Sequence, residues 1–286
     1  MKAWLLASRP KTLSAAIVPV LMGTALAARE RAAVSWGLFT WTLLGAVLIQ
    51  IATNFINDAI DFKKGADTGE RLGPTRVTQA GLLSARAVMT AAWLCLAGAA
   101  LCGIPLIVRG GWPLLVIGLA SMAAAYAYTG GPYPLAYHGL GELFVVVFFG
   151  LLAVGGTFYV QTLRLTRNAL FAGVAAGSLA TVMIVINNLR DIDGDRRSNK
   201  RTLAARFGER FARLEVILFT LAPFVAVFPI TWLPLLALPL ALLVIACASR
   251  SRGAALNRCL GIGSALQWTF GILFVVSCSS GFGLMR

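Results

Sequence analysis

An all-α, polytopic membrane bundle of nine transmembrane helices, amino terminus inside and carboxyl terminus outside, is the fold class this sequence predicts. Three observations predict it. Of 286 residues, 58% are hydrophobic and only 13% charged, with mean hydropathy +0.81, against roughly 45–50% and about 25% in soluble globular chains. Apolar runs of the roughly 20 residues that a hydrocarbon core demands recur from Leu13 to Phe282. Lys and Arg crowd alternate connections between those runs, as the cytoplasmic bias of positive charge requires. This composition excludes disorder, a coiled coil, a disulfide scaffold and a secreted domain. The net charge of +14 would point a soluble protein toward nucleic acid. Here it belongs to basic loops facing anionic lipid, and no nucleic-acid partner is expected.

Clusters of charge, Pro and Gly punctuate the runs. The first span, 12–28, follows Arg9-Pro10-Lys11 and stops at Arg29-Glu30-Arg31. The second, 36–58, opens into an acidic stretch ending at Lys63-Lys64-Gly65. Arg109-Gly110-Gly111 divides the third, 86–108, from the fourth, 112–129, and Gly130-Gly131-Pro132 separates the fourth from the fifth, 140–162. Arg164 and Arg167 precede the sixth, 168–189, which opens into a second acidic stretch. The seventh and eighth, 211–229 and 231–249, part near Pro229–Pro234, and Arg250-Ser251-Arg252 precedes the ninth, 260–282.

With the amino terminus inside, all 25 Lys and Arg except Arg29, Arg31, Arg109, Arg164, Arg167 and Arg286 fall on the cytoplasmic side, which gives the N-in, C-out orientation. No connection is long enough for a soluble domain, so residues 1–286 are expected to form one membrane domain. The start, Met1–Leu13, reads as retained rather than as a cleaved signal peptide. The five cysteines (Cys95, Cys102, Cys247, Cys259, Cys278) are odd in number and lie mostly in apolar runs. They read as small hydrophobes rather than disulfide partners or metal ligands.

Seven of the 11 acidic residues form two clusters: Asp58, Asp61, Asp67 and Glu70 after the second span, and Asp191, Asp193 and Asp195 after the sixth. Both spans run from outside to inside, so both clusters emerge on the same face. If the second helix continues, Asn54/Asp58 and Asn57/Asp61 stand at i,i+4 and share one face. Asn187, Asp191 and Asp195 repeat that spacing, with Asp193 pointing away. Such carboxylates repel one another at the wrong pole of the helix dipole, so a positive group should offset them. Mg²⁺ takes one or two carboxylates together with waters and substrate phosphates. The single histidine, His138, leaves no soft-metal set. The interleaved Lys63, Lys64, Arg190, Arg196, Arg197, Lys200 and Arg201 suit phosphate oxygens, and Arg71-Leu72-Gly73-Pro74 is a turn that would fold the first loop over the site. A phosphate site at the mouth of an apolar bundle calls for a substrate with a charged head and a greasy tail, a description met by a polyprenyl diphosphate. Transporters place ionisable groups near mid-membrane, whereas nearly every acid here maps to a span end or loop, Glu215 being the nearest exception.

These residues resemble the UbiA superfamily of intramembrane aromatic prenyltransferases, and within it the branch acting on naphthoate acceptors. Asn57-Asp58-x-x-Asp61-x-x-Lys64-Gly65-x-Asp67 resembles its first aspartate-rich motif, and Asn188-x-Arg190-Asp191-x-x-x-Asp195 with Lys200-Arg201-Thr202-Leu203 the second. Arg9-Pro10-Lys11-Thr12-Leu13 and Tyr128-Thr129-Gly130-Gly131-Pro132-Tyr133-Pro134-Leu135, running into Gly139-Leu140-Gly141-Glu142, resemble the naphthoate branch. The wide Asp61-to-Asp67 spacing departs from many members and is shared by those acting on naphthoate. The resemblance implies nine helices around a central cavity in the bacterial cytoplasmic membrane, with motif loops capping the cytoplasmic side. It also implies Mg²⁺ dependence. The implied reaction is attack of 1,4-dihydroxy-2-naphthoate on a polyprenyl diphosphate, with loss of CO₂, giving demethylmenaquinone. Another aromatic acceptor or a phytyl donor is the alternative within the superfamily, and a transporter the alternative outside it.

On this reading Asp61, Asp67, Asp191 and Asp195 are the metal ligands, with Asp58 a fifth candidate. Asn57 and Asn188 orient ligands or bond diphosphate, while Lys64, Arg190 and Lys200 take the charge of the leaving group. Candidate acceptor contacts are Lys11, Arg71, Tyr128, Tyr133 and Glu142, with Tyr126 and Tyr137 near them. Lys11 competes with a role as a membrane-face anchor and Glu142 with a structural role. His138 is assigned none.

Overall fold

The structure, a computed structural model, describes residues 1–30, 32–64, 72–73 and 76–280. The candidate ligand Asp67, the candidate contact Arg71 and Pro74 of the expected turn lie outside the described residues.

All regular elements among the described residues are helical. The amino-terminal part holds α1 (Lys2–Ser8), α2 (Ser14–Arg29), α3 (Trp36–Lys63), α4 (Ala85–Gly110) and α5 (Trp112–Ala127). The middle holds α6 (Gly141–Val145), a π-helical stretch Val146–Leu152, α7 (Ala153–Thr162) and α8 (Arg167–Arg190). Short α9 (Ile192–Arg197) and α10 (Leu203–Phe207) lead to α11 (Glu209–Val227), α12 (Leu238–Arg250) and α13 (Leu256–Ser279). Hydroxyl caps start three of the long helices: Ser35, Ser84 and Thr166 accept from the N–H groups of Leu38, Ala87 and Ala169. Each satisfies an amide that the first turn leaves open, for about 1 kcal/mol.

Six helices among the described residues are long and apolar enough to cross a membrane, or seven if Lys2–Thr12 and Ser14–Arg29, bent by 51°, count as one span. The expected fourth span shortens to the 16 residues of α5, because the Gly130-Gly131 turn begins close behind it. The expected seventh begins as α11, whose first two turns carry Glu209, Arg210, Arg213 and Glu215. Continuation of the second span is realised: α3 runs on to Lys63 and carries Asn54, Asn57, Asp58 and Asp61 on helix.

The centre is α8, the most enclosed of the long apolar helices, which packs against α2, α11, α13 and the π-helical stretch. Small residues permit that approach, as in helix pairs surrounded by lipid. A Cβ at Gly150 would lie 2.3 Å from the Gly173 carbonyl oxygen and 2.7 Å from Gly177 Cα. One buried cluster joins α2, α7, α8 and α11–α13, and a smaller one joins α1, α3, α4 and α5. Between them lies a cavity of about 530 Å³.

One expectation is corrected. Cys247, near the end of α12, and Cys259, in the first turn of α13, form a disulfide with Cα atoms 5.7 Å apart. The Arg250–Ala255 connection folds two apolar helix ends side by side, a proximity that composition does not reveal. Cys95, Cys102 and Cys278 are free thiols.

Candidate functional site

The carboxyl-terminal end of α3 spreads its polar side chains over three neighbours. Asn54 donates to the Ser8 carbonyl (2.9 Å) and to Thr12 Oγ1 (3.0 Å), tying the amino-terminal segment to the bundle. Asn57 accepts from the Thr129 hydroxyl. Asp58, 1% exposed, accepts from the N–H groups of Val77 (3.2 Å) and Thr78 (3.1 Å). Both its oxygens hold the loop after α3, so its partners are backbone amides, whereas those of Asp61, Asp191 and Asp195 include cations. Asp61 accepts from Arg76 Nη2 (2.7 Å) and the Tyr137 hydroxyl (3.3 Å). Lys64 donates to the Thr129 carbonyl (2.7 Å) and stands 4.7 Å from the Tyr137 ring centroid.

The second stretch leaves the helix. α8 ends at Arg190, Asp191 caps it, and α9 begins at Ile192. The Arg190 guanidinium grips Asp191 with two bonds (2.8 and 2.6 Å) and donates a third to Asn257 Oδ1 (2.8 Å). Asn257 in turn donates to the Leu72 carbonyl of the first loop. Asn188 donates to Glu142 Oε1 (2.8 Å), and Glu142 Oε2 is buried with no hydrogen-bond partner among the described residues. Asp195 is buried, accepts from Thr202 Oγ1 (3.2 Å) and faces Lys200 Nζ at 3.5 Å. Burial pushes its carboxyl above the usual range and Asp191 adds to the rise, while Lys200 and the Thr202 hydroxyl oppose it. Asp193 is exposed.

The two stretches meet at Tyr137. Its ring faces Lys64 from the first and, at 5.9 Å, Lys200 from the second. Its carbonyl accepts from the Arg201 N–H (3.0 Å). Tyr128 lines the cavity beside Asn54, Asn57 and Asn187. Tyr133 is exposed and stacks on His138, away from the cavity lining, and Tyr126 stacks on Trp93. Lys11 is exposed, while Arg9, held at φ 49° between α1 and the following turn, lines the cavity instead. Reading the sequence missed Arg9, Arg76 and Asn257, and set Tyr137 beside the acceptor contacts rather than between the two acidic stretches. Only Arg9 lies within a quoted motif, and nothing in the sequence shows that the break after α1 turns it, not Lys11, inward.

Among the described residues no three acidic, His or Cys side chains converge into a preformed metal cage. The donors that are present suit a hard divalent ion even so. They are carboxylates, and Mg²⁺ draws most of its ligands from water and phosphate. Asp61, Asp191 and Asp195 already hold cationic partners, and the lone pairs these leave open are oxygen donors.

The sequence matches the UbiA prenyltransferase family over residues 16–258. It is 43% identical over 211 residues to the 1,4-dihydroxy-2-naphthoate octaprenyltransferase of Mycobacterium tuberculosis, an alignment covering 74% of this chain and 72% of that one. A UbiA homolog from Aeropyrum pernix superposes with a TM-score of 0.71 at 17% identity, over 93% of this chain and 97% of that one. A UbiA homolog from Archaeoglobus fulgidus, solved with DMAPP and Mg²⁺, gives 0.62 at 15%, over 96% and 99%. At these identities the superpositions speak for the fold.

Proposed function

Since the chain belongs to the UbiA prenyltransferase family, we propose that it transfers a polyprenyl chain from polyprenyl diphosphate to 1,4-dihydroxy-2-naphthoate, with decarboxylation, to give demethylmenaquinone. The observation that carries this reading is the meeting of two acid- and lysine-bearing stretches at Tyr137, beside an apolar cavity whose polar wall includes Asn57 and Tyr128. The naphthoate acceptor and octaprenyl donor are those named for relatives such as the Mycobacterium tuberculosis enzyme.

The bundle is a multi-pass membrane domain. In our reading all nine apolar segments cross the bacterial cytoplasmic membrane, N-in and C-out, within a single domain, and the site opens toward the cytoplasm. The distribution of Lys and Arg supports that orientation.

Asp61, Asp191 and Asp195 are the described residues that would hold Mg²⁺, with Asp67 a further candidate from the motif. Bound there, the ion supplies positive charge to the diphosphate as the allylic C–O bond breaks. Lys64 and Lys200 take the remaining charge of the leaving group. Arg190 keeps Asp191 oriented with its two-bonded grip. Asn57, fixed by Thr129, and Asn188, fixed by Glu142, keep the inner rim polar. The apolar walls, Phe148 and Leu152 among them, keep water from the electron-poor prenyl carbon. Arg9 is the cavity-facing cation suited to the acceptor carboxylate, in place of Lys11.

Membranes containing the protein, given dihydroxynaphthoate and octaprenyl diphosphate, should form a prenylated quinone only when Mg²⁺ is added. Substituting 4-hydroxybenzoate for the naphthoate should abolish product, and equal turnover of both acceptors would overturn the assignment to naphthoate. Absence of product with any aromatic acceptor would overturn the enzyme and favour a transporter.

A further inference from the structure

Groups from both acidic stretches converge on Tyr137, a residue in the connection between α5 and α6. Its hydroxyl donates to Asp61 Oδ1, its carbonyl accepts from Arg201, and Lys64 Nζ and Lys200 Nζ lie 4.7 and 5.9 Å from its ring centroid. The connection is held in place: the Ala136 N–H donates to the Tyr128 carbonyl (2.9 Å), and a 3₁₀ turn, Leu135–Tyr137, fixes the backbone. Two ammonium groups from opposite halves of the chain therefore share one aromatic side chain. Like charges brought together repel, and the negative face of a phenol ring is one of the few uncharged groups that attracts a cation.

We propose that Tyr137 is a positioning residue for the diphosphate. Its ring gathers Lys64 and Lys200 onto one anion-sized patch, and its hydroxyl keeps Asp61 turned toward that patch. The arriving head group then meets cations already in place, which lowers the ordering cost of binding. The inference rests on the prenyltransfer reading and deepens it: the donor's diphosphate, not the aromatic acceptor, is what this tyrosine serves, although it sits among residues that resemble the acceptor branch.

The test compares Tyr137→Leu, which removes ring and hydroxyl, with Tyr137→Phe, which keeps the ring. In Tyr137→Leu the KM for octaprenyl diphosphate should rise about five- to tenfold, as expected for two weakened cation contacts, while the KM for dihydroxynaphthoate stays within twofold. Tyr137→Phe should recover most of that loss. A binding measurement independent of turnover should move in parallel. Calorimetry with inorganic pyrophosphate and Mg²⁺ on detergent-purified protein should show Tyr137→Leu weakened by the same factor and Tyr137→Phe near wild type. Tyr137→Met, with similar reach and no ring face, replaces the Leu variant if that one does not fold. Unchanged pyrophosphate binding in the ring-less variant would overturn the proposal. So would a Phe variant as weak as Leu, or an acceptor KM that rises as far as the diphosphate KM. A wild-type protein that binds pyrophosphate yet prenylates no aromatic acceptor would strike the prenyltransfer reading and leave the binding comparison to decide on Tyr137.

Discussion

Asp58 and Asp61 sit one turn apart on α3 and have different work. Asp58 spends both oxygens on the amides of Val77 and Thr78 in a buried setting, whereas Asp61 meets a guanidinium and a phenol. Asp58→Asn should therefore cost about 1–3 kcal/mol of stability, because an amide NH₂ would face a buried N–H donor. The Mg²⁺ requirement of the protein that still folds should stay the same. Asp61→Asn and Asp191→Asn should instead shift the Mg²⁺ dependence and cut turnover on the order of 10²–10³-fold, with a loss of stability as well, because each removes the counter-charge of a buried guanidinium, Arg76 or Arg190. A shifted Mg²⁺ dependence in Asp58→Asn would return that residue to the metal set. Asp195 gives a pH test. Its folded carboxyl is raised mainly by burial, so without metal the native state holds a proton that the unfolded chain has released. By linkage, that contribution to stability is fully present below the unfolded pKa, near 3.8, and is lost as pH rises through the raised folded value. Thermal midpoints measured against pH should show this fall in wild type and not in Asp195→Asn. Added Mg²⁺ should reverse the fall, since it favours the ionised form, and the half-saturating Mg²⁺ concentration should rise as pH drops.

At the scale of elements, the helices were legible because length and hydropathy alone decide them in a bilayer. The two acidic stretches were legible because charge at the end of an apolar run stands out. Interruptions of helix were not: nothing in Val146–Leu152 marks a π-helical stretch, which lies where Gly150 presses into the small-residue face of α8. Nor does composition show that Arg9 adopts a left-handed backbone and lines the cavity while Lys11 is exposed. Gly150→Ala tests the close approach. With the Gly173 carbonyl 2.3 Å from the added Cβ, overpacking should cost about 1–3 kcal/mol. Gly261→Ala, on an exposed face of α13 with nothing within 4 Å, should instead be neutral or stabilise by up to about 1 kcal/mol, because Ala is the better helix former. Equal melting temperatures for the two variants would mean that α8 and the π-helical stretch are not packed at backbone distance.

For the whole molecule, sidedness and the disulfide make opposing demands. The first stretch, the second stretch and the start of α13 are one surface: Asn257 joins Arg190 to the Leu72 carbonyl, and Cys259 lies two residues beyond Asn257. Whichever compartment holds the catalytic face therefore also holds the Cys247–Cys259 pair. In the orientation we propose, that face lies in the cytoplasm, where thiols are kept reduced. Intact cells should accordingly contain the pair as thiols, and the disulfide should form when isolated membranes are oxidised. By loop entropy, closing it should then add about 3 kcal/mol to stability. Single-cysteine reporters in a background lacking the native cysteines should agree. Positions 82 and 207, exposed on the catalytic side, should react with a membrane-impermeant maleimide only after the cells are opened, and position 165, exposed at the other end of the bundle, should react from outside. Labelling of both 82 and 207 in intact cells would reverse the orientation and make the disulfide a constitutive brace in an oxidising compartment. Split labelling, one of the two from each side, would separate the acidic stretches and remove the shared diphosphate site.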